Sequence, residues 1–403
     1  MQTYGRFDVV IDHGEGAKLY SPEGREYIDF TSGIGVNSIG YGNKKWADAI
    51  YTQAMKLGHI SNLFYSEPYA KLASELTRRT GMSKVFFANA GGEANEGMIK
   101  LARKYSHDKY GDGRNKILTL VQSFHGRTIT TLAATGQESF HKHFFPFTEG
   151  FDYIPANDIK ALENALEAVA VGNKSFDGTA AYKNETEDTG ICAVMVELIQ
   201  GEGGVLPLDA EYVKQVHELC DKYDVLMLVD EVQTGVGRTG ALFAFQNYGI
   251  LPDAATFAKG IAGGLPMGGI MASEKCAAVL GAGDHATTFG GNPVVAAAAV
   301  ETLTQLSGEV INEVTEKGQY IKDTITAWNH PNVGEIRGLG LMIGITTPGI
   351  VPKEAAKACI DKGLLILTAG SDALRMLPPL TISYEEIDRG LAILKAVLDE
   401  VKK

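Results

Sequence analysis

The stretch from Val225 to Gly264 constrains this chain most, because two apolar segments in it each stop at a chemically active side chain. Val225 to Val229 (VLMLV) is an unbroken apolar run, the pattern of a strand covered on both faces. It ends at an acid pair, Asp230 and Glu231. A second short segment, Ala254 to Ala258, ends at Lys259, and Gly260 follows. An acid and an amine are therefore predicted at the ends of two neighbouring buried strands. Ligand sites of open α/β sheets lie outside the carboxyl ends of their strands. A lysine there can carry a cofactor covalently, and a nearby carboxylate can tune it.

Strands and helices alternate around that stretch. Lys84 to Ala88 (KVFFA) reads as a strand. It runs into NAGGEANEG and then a helix with Met98, Leu101, Ala102 and Tyr105 on its apolar side. A strand, a glycine turn and a helix N-terminus make a ready anion site, since free N–H groups and the helix dipole both favour phosphate. A plain tight connection is the alternative. Lys116 to Val121 is the next strand and ends at SFHGRT, which puts Phe124, His125 and Arg127 at a third strand end. An aromatic there can stack on a planar ligand, and an arginine can clamp a carboxylate. A core Phe and a surface Arg are the plain reading. Another buried strand, ICAVMVE, ends at Glu197 and is followed by LIQGEGGV. A helix from Ala210 to Lys222 then leads into the Val225 strand. This alternation predicts a mostly parallel, doubly wound sheet.

The two ends of the chain read differently. Near the N-terminus, Ala17 to Tyr20 and Tyr27 to Phe30 are short strands joined by an SPEG turn. The glycine-rich TSGIGVNSIGYG follows, where small residues let backbone approach closely. Helices are predicted near Lys45 to Leu57 and Pro68 to Thr80. Beyond HATTFGGNP, Pro293 opens a long helix. Residues from about 300 onward read as helices and short strands of a smaller α+β unit, with one strand near Arg375 and a last helix from Tyr384.

Several function classes are excluded or weakened. A net charge of −12 argues against a nucleic-acid surface. The first residues, MQTYGRFDVV, hold no apolar signal core, and no apolar run of about 18 residues occurs, so no membrane segment is expected and a cytoplasmic place is. Cys192, Cys220, Cys276 and Cys359 are too far apart for metal spacing and read as buried free thiols. His141 and His143 lack a third ligand, so they read as loop or surface histidines and no metal is expected. Gly235 to Gly240 (GVGRTG) matches a dinucleotide fingerprint, but Asp230 and Glu231 intervene after the strand and no clean helix follows, so it reads as a loop. Residues 172–190 are polar and aperiodic, as in a solvated insertion.

A phosphate cradle, an aromatic, a carboxylate and a lysine at successive strand ends match the needs of a phosphorylated aldehyde cofactor with a pyridine ring. Six segments, FFANAGGEANEGMIKLAR, SFHGRT, ELIQGEGG, LVDEVQTGVGRTG, FAKGIAGGLPMG and TTFGGNP, then stand in the order found in one family. The chain resembles the fold-type I, class III (ω-amino) pyridoxal-phosphate aminotransferases over nearly its whole length. The resemblance implies an α/β fold: a large domain with a mostly parallel seven-stranded sheet, plus a smaller α+β domain. It also implies an arm at 1–55 packing with the small domain, a large domain at 56–295 and a small domain at 296–403. The cofactor implied is pyridoxal 5'-phosphate, held covalently by Lys259, with Asp230 at its ring nitrogen and Gln233 at its 3-oxygen. Val232 and Phe124 would cover the two ring faces, with His125 beside them, and Gly91 and Gly92 would donate backbone N–H groups to the phosphate. Thr288 would reach the phosphate of a neighbouring subunit, which makes the implied unit a homodimer with shared sites. Two departures stand out: Ala90 where the family commonly has serine, and Leu198 where a proline is usual.

The implied reaction transfers an ω-amino group to 2-oxoglutarate. Arg127 matches the position for the distal carboxylate, Arg375 the one for the α-carboxylate of glutamate, and Glu202 the acid that covers Arg375 when the ω-amino donor is bound. Tyr4 matches a substrate-contacting tyrosine. Gly33 stands where an ornithine-specific relative has a second tyrosine, and His125 where it has a tryptophan. Both favour an Nα-acetylated ornithine over free ornithine. Ornithine, succinylornithine and 4-aminobutyrate are the alternative donors, and a semialdehyde aminomutase is the alternative from another reaction class.

Overall fold

The computed structural model describes residues 1–170 and 190–400. The predicted insertion at 172–190 lies outside the described residues apart from Gly190, which opens a strand. Seven strands form the central sheet: β1 (Lys84–Ala88), β2 (Arg114–Leu120), β3 (Phe151–Ile154), β4 (Gly190–Val196), β5 (Leu226–Asp230), β6 (Ala254–Phe257) and β7 (Gly268–Ala272). Their order is β1-β7-β6-β5-β4-β2-β3. β7 is antiparallel to both neighbours, and the other pairings are parallel.

The unbroken apolar run of β5 has its expected cause. Leu226 and Leu228 share a buried cluster with Met98, Leu101 and Ala102 of helix Gly91–Tyr110. Met227 and Val229 fall on the opposite face, in a cluster with Val213, Val216 and Cys220 of helix Ala210–Tyr223. Alternate side chains of one strand thus serve two cores, and each such buried side chain contributes roughly 1.5–3 kcal/mol. From β2 the chain winds outward to β3, whereas from β4 it winds the other way through β5 and β6. The switch lies between β2 and β4, the place where open α/β sheets form their ligand crevice at the carboxyl ends. The segments at Phe124, Glu197, Asp230 and Lys259 all leave their strands at that edge.

A four-stranded antiparallel sheet, Ile336–Leu339, Met342–Thr346, Ala373–Met376 and Leu367–Ala369, holds Arg375 opposite Gly344 on an inner strand. The N-terminal strands His13–Glu15, Lys18–Tyr20 and Glu26–Asp29 form a second sheet, closed by Leu364–Leu365 pairing parallel to Glu26–Asp29. The SPEG turn is the predicted hairpin, with Ser21 N–H donating to Arg25 O at 2.9 Å. The helix that Pro293 opens ends at Gln305, and a second, Gly308–Ala327, follows at a bend of 68°. Ser307 divides them by accepting a hydrogen bond from Val310 N–H, starting a new helix rather than continuing the old one. That bent pair has the length and composition of a membrane span, but no single helix among the described residues is long and apolar enough to cross. All four cysteines are buried and unpaired.

Candidate active site

Asp230 is the most heavily held side chain of the crevice. Its Oδ2 accepts from Asn95 Nδ2 and from His125 Nδ1, each at 2.8 Å. Its Oδ1 accepts from Val232 N–H at 3.0 Å and Thr256 Oγ1 at 3.4 Å. Asn95 Nδ2 also donates to His125 O at 2.7 Å, and its Oδ1 accepts from Thr256 Oγ1 at 2.9 Å. The sequence reading missed Asn95 and Thr256. An Asn three residues before Met98 on a buried helix face was the available signal, because a buried amide needs partners. Glu231 turns elsewhere, accepting from Phe245 N–H at 2.8 Å and from the Thr234 hydroxyl. The two acids of the pair are thus separated in role.

His125 needs a correction. Its ring is buried against Asp230, so its size bears on that contact and not on room for an acyl group. With Nδ1 donating to Asp230, its Nε2 is buried without a partner among the described residues.

Lys259 follows β6 with φ 44°, a left-handed backbone for a residue with a Cβ. Such strain costs about 1–2 kcal/mol and persists where surrounding structure enforces it. Lys259 is half-buried as a residue, and the protein around its amine removes water. Burial, with the Arg375 guanidinium adding repulsion, pushes the amine down to about 8 against the pull of Glu202, Asp230 and Glu197. Gly260 permits the close approach beneath it, where a Cβ would collide with Ser38 Oγ.

Arg375 is buried and its Nη1 donates to Glu202 Oε1 at 2.7 Å, Gly201 O at 3.1 Å and Gln233 Oε1 at 3.2 Å. Its Nε is buried with no partner among the described residues. Burial opposes the ionisation of Glu202, but Arg375 outweighs it and holds the carboxyl below its usual range. Glu202 rides the turn of a small ribbon, Ile199–Gln200 against Leu206–Pro207. Glu197, which has no role in the sequence reading, accepts from Phe124 N–H at 2.8 Å and Gly201 N–H at 3.4 Å. Burial and the nearby Asp230 push its carboxyl well above the usual range.

Helix Gly91–Tyr110 starts at Ala90, which supplies no side-chain cap. A Cβ on Gly91 would lie 2.7 Å from Val232 Cγ1, so that position tolerates nothing larger. Glu93 folds back instead, its Oε2 accepting from Asn89 N–H and Nδ2 at 2.8 Å. Arg127 is exposed and stacks over Phe140 at 3.9 Å and Phe124 at 5.5 Å.

Three residues stand apart from this cluster. Tyr4 is 74% exposed and meets the Arg6 guanidinium but none of the other candidate residues. Gly33 is exposed, with φ 65° inside a loop that precedes helix Lys44–Lys56. Thr288 is exposed on the rim of a small cavity with Phe64 and Tyr69, and no described contact brings it to Gly91 or Gly92 of its own chain. His141 is buried and bonds to Leu132 O at 2.9 Å, unlike exposed His143.

These residues fit pyridoxal phosphate. An uncapped helix N-terminus, a glycine cradle that a Cβ would fill, a carboxylate braced by Asn95 and His125 and a lysine of lowered basicity are the groups such a cofactor needs. The comparisons agree. The chain is 48% identical over 401 residues to the acetylornithine aminotransferase of Haemophilus ducreyi, covering 99% of this chain and 96% of that one. It is 44% identical to the acetylornithine aminotransferase of Caldanaerobacter subterraneus subsp. tengcongensis, covering 100% and 98%. A structure of the ornithine aminotransferase from Toxoplasma gondii, described with partial occupancy of PLP at its active site, superposes with TM-score 0.89 at 31% identity, covering 99% and 92%. N-acetylornithine aminotransferase from Stenotrophomonas maltophilia gives 0.82 at 35% identity, covering 99% and 97%. Backbone likeness ranks the two activities one way and identity the other, as expected when fold does not encode substrate. Residues 2–398 match the aminotransferase class-III family model, and the chain belongs to that family.

Proposed function

We propose that the chain transfers the δ-amino group of N2-acetyl-L-ornithine to 2-oxoglutarate, giving N-acetyl-L-glutamate 5-semialdehyde and L-glutamate, with pyridoxal 5'-phosphate bound at Lys259. The observation that carries this reading is the 2.7 Å pair of Arg375 and Glu202 beside Gln233. A site that accepts two donors in turn must expose a guanidinium to one and mask it from the other. A carboxylate partner that can swing away does both. Acetylornithine aminotransferases at 48% and 44% identity support the donor.

Each residue has its task in this account. The cofactor, when bound, supplies an electron sink for the carbanion. Lys259 would take the proton from the donor's δ-carbon and deliver it to the cofactor rather than back to the donor, so that the donor leaves as the aldehyde. Asp230 would keep a proton on the pyridine nitrogen, and Asn95, His125 and Thr256 fix its carboxylate. Phe124 and Val232 would flank the ring, Gln233 would meet its 3-oxygen, and the N–H groups of Gly91 and Gly92 would take the phosphate. Arg127 would hold the distal carboxylate and Arg375 the α-carboxylate of glutamate, while Tyr4 and Gly33, which stand apart from the cluster in a single chain, are assigned to the donor by the resemblance alone.

The same reading assigns 1–55 to an arm beside the small domain, 56–295 to the large domain and 296–403 to the small domain. It makes the active unit a homodimer in which Thr288 serves the neighbouring phosphate, and the enzyme cytoplasmic, in keeping with four buried unpaired thiols. Free ornithine is the second reading, favoured by the TM-score of 0.89 to an ornithine aminotransferase. A panel of ω-amino donors with 2-oxoglutarate, scored by glutamate formed, decides. The acetylated donor is expected to lead; free ornithine matching or beating it overturns the assignment.

A further inference from the structure

The loop Gly235–Gly240, which forms successive turns and opens no helix, carries a buried arginine with no carboxylate in ion-pair distance among the described residues. Arg238 bonds instead to oxygens of separate segments. Nη1 donates to Leu341 O at 3.2 Å and to Pro378 O, and Nη2 donates to Ser32 Oγ at 3.4 Å. Burial pushes its guanidinium down to about 9, with the charge of Asp29 opposing the shift. Ser32 extends the bridge: its hydroxyl donates to Leu377 O at 2.6 Å, and its N–H donates to Asp29 Oδ2 at 2.9 Å. Leu377 N–H returns a bond to Phe30 O at 2.7 Å.

What this bridge ties together matters. Pro378 lies three residues after Arg375, and Arg238 lies eight residues after Asp230. Ser32 begins a run, Ser32, Gly33, Ile34 and Gly35, with φ of 42°, 65°, 65° and 76°. Four successive left-handed residues, two of them bearing a Cβ, are unfavourable, and the turn is held by its own bonds, Gly35 N–H to Thr31 O at 3.0 Å and Val36 N–H to Ser32 O at 2.8 Å. The Arg238 bridge then ties the start of this loop and the end of the Arg375 strand to the loop that starts at Asp230.

We propose that Arg238, acting through Ser32 and the carbonyls of Leu377 and Pro378, is a positioning residue that sets the distance of the Arg375 clamp from the Asp230–Lys259 centre and so selects the length of dicarboxylate the site accepts. The proposal rests on the reading of Arg375 as a carboxylate clamp.

The test is calorimetric binding of glutarate, a non-reacting dicarboxylate of the acceptor's length, and of the longer adipate to holoenzyme. Arg238→Lys keeps the charge but loses the planar fork. Ser32→Ala removes one hydroxyl and decides alone if the first variant does not fold. In a folded variant with wild-type cofactor absorbance, the glutarate Kd is expected to rise at least about fivefold, and the preference over adipate to shrink, as misplacement of a clamp predicts. A glutarate Kd changed by less than that overturns the proposal, even if Tm falls, because a purely structural staple would lower Tm alone. If wild-type holoenzyme binds neither acid, the clamp reading itself fails, and this proposal with it.

Discussion

Arg375 and Glu202 stand 173 residues apart in the chain and 2.7 Å apart in space. The guanidinium comes from the four-stranded antiparallel sheet, the carboxylate from a ribbon beyond β4. If Glu202 masks Arg375 from the ω-amino donor, Glu202→Ala leaves the guanidinium open to α-carboxylates. Glutamate should then become a better donor relative to the ω-amino substrate by roughly tenfold or more, since close charge pairs couple by about 1.5 kcal/mol upward. Steady-state kinetics with both donors measure it. An unchanged ratio removes Glu202 from the switch.

The amine of Lys259 gives a pH prediction with a definite sign. Burial and Arg375 both disfavour the ammonium, so the neutral amine dominates above about 8 rather than above the usual lysine value. Attack on an aldehyde needs the neutral form. In enzyme stripped of cofactor, the rate of reconstitution with pyridoxal phosphate should therefore rise with pH and level off just above about 8. Stopped-flow absorbance follows it. A rise continuing to the ordinary lysine range would mean that the amine is not desolvated.

Asp230 is held by donors from a helix, a strand-end loop and a neighbouring strand. Asp230→Asn keeps the volume and removes the charge. The kcat should fall on the order of 10²–10³-fold, the scale of losing one buried electrostatic stabiliser. A loss under tenfold would show that the charge is not used at the ring nitrogen.

Ala90 leaves the first helix beyond β1 without a side-chain cap. Ala90→Ser restores a hydroxyl at that position. The variant should bind pyridoxal phosphate at least about tenfold more tightly, as one added hydrogen bond to a charged group, about 1.5 kcal/mol upward, would. It should also raise the stability of cofactor-free protein by about 0.5–2 kcal/mol through the cap. Equilibrium dialysis and thermal melts read the two effects. An unchanged cofactor dissociation constant places the phosphate elsewhere.

The strands and the residues at their ends were legible because burial on both faces writes a continuous apolar run, and a charged residue breaking it is conspicuous. β1 begins and ends where the pattern KVFFA does, and β5 and β6 end beside Asp230 and Lys259 as read. The support around those ends was not legible. Asn95 and Thr256 are single polar residues within apolar elements, and their partnership depends on how a helix lies across β6. Arg238 hid in a glycine loop because its partners, Ser32, Leu341 and Pro378, belong to segments that only the packed fold brings together. The size argument for His125 failed for the same reason. Residue type indicated bulk, but the direction of the ring depends on the register of β2 against β4 and of β4 against β5.

The central claim is that Lys259, at the end of β6, bonds covalently to pyridoxal phosphate. Borohydride reduction of the holoenzyme followed by peptide mass mapping tests it most directly. The account predicts the reduced cofactor on the peptide containing Lys259, and none on that peptide in Lys259→Ala. A modification on another lysine, or none in enzyme that carries out the transfer, would contradict it.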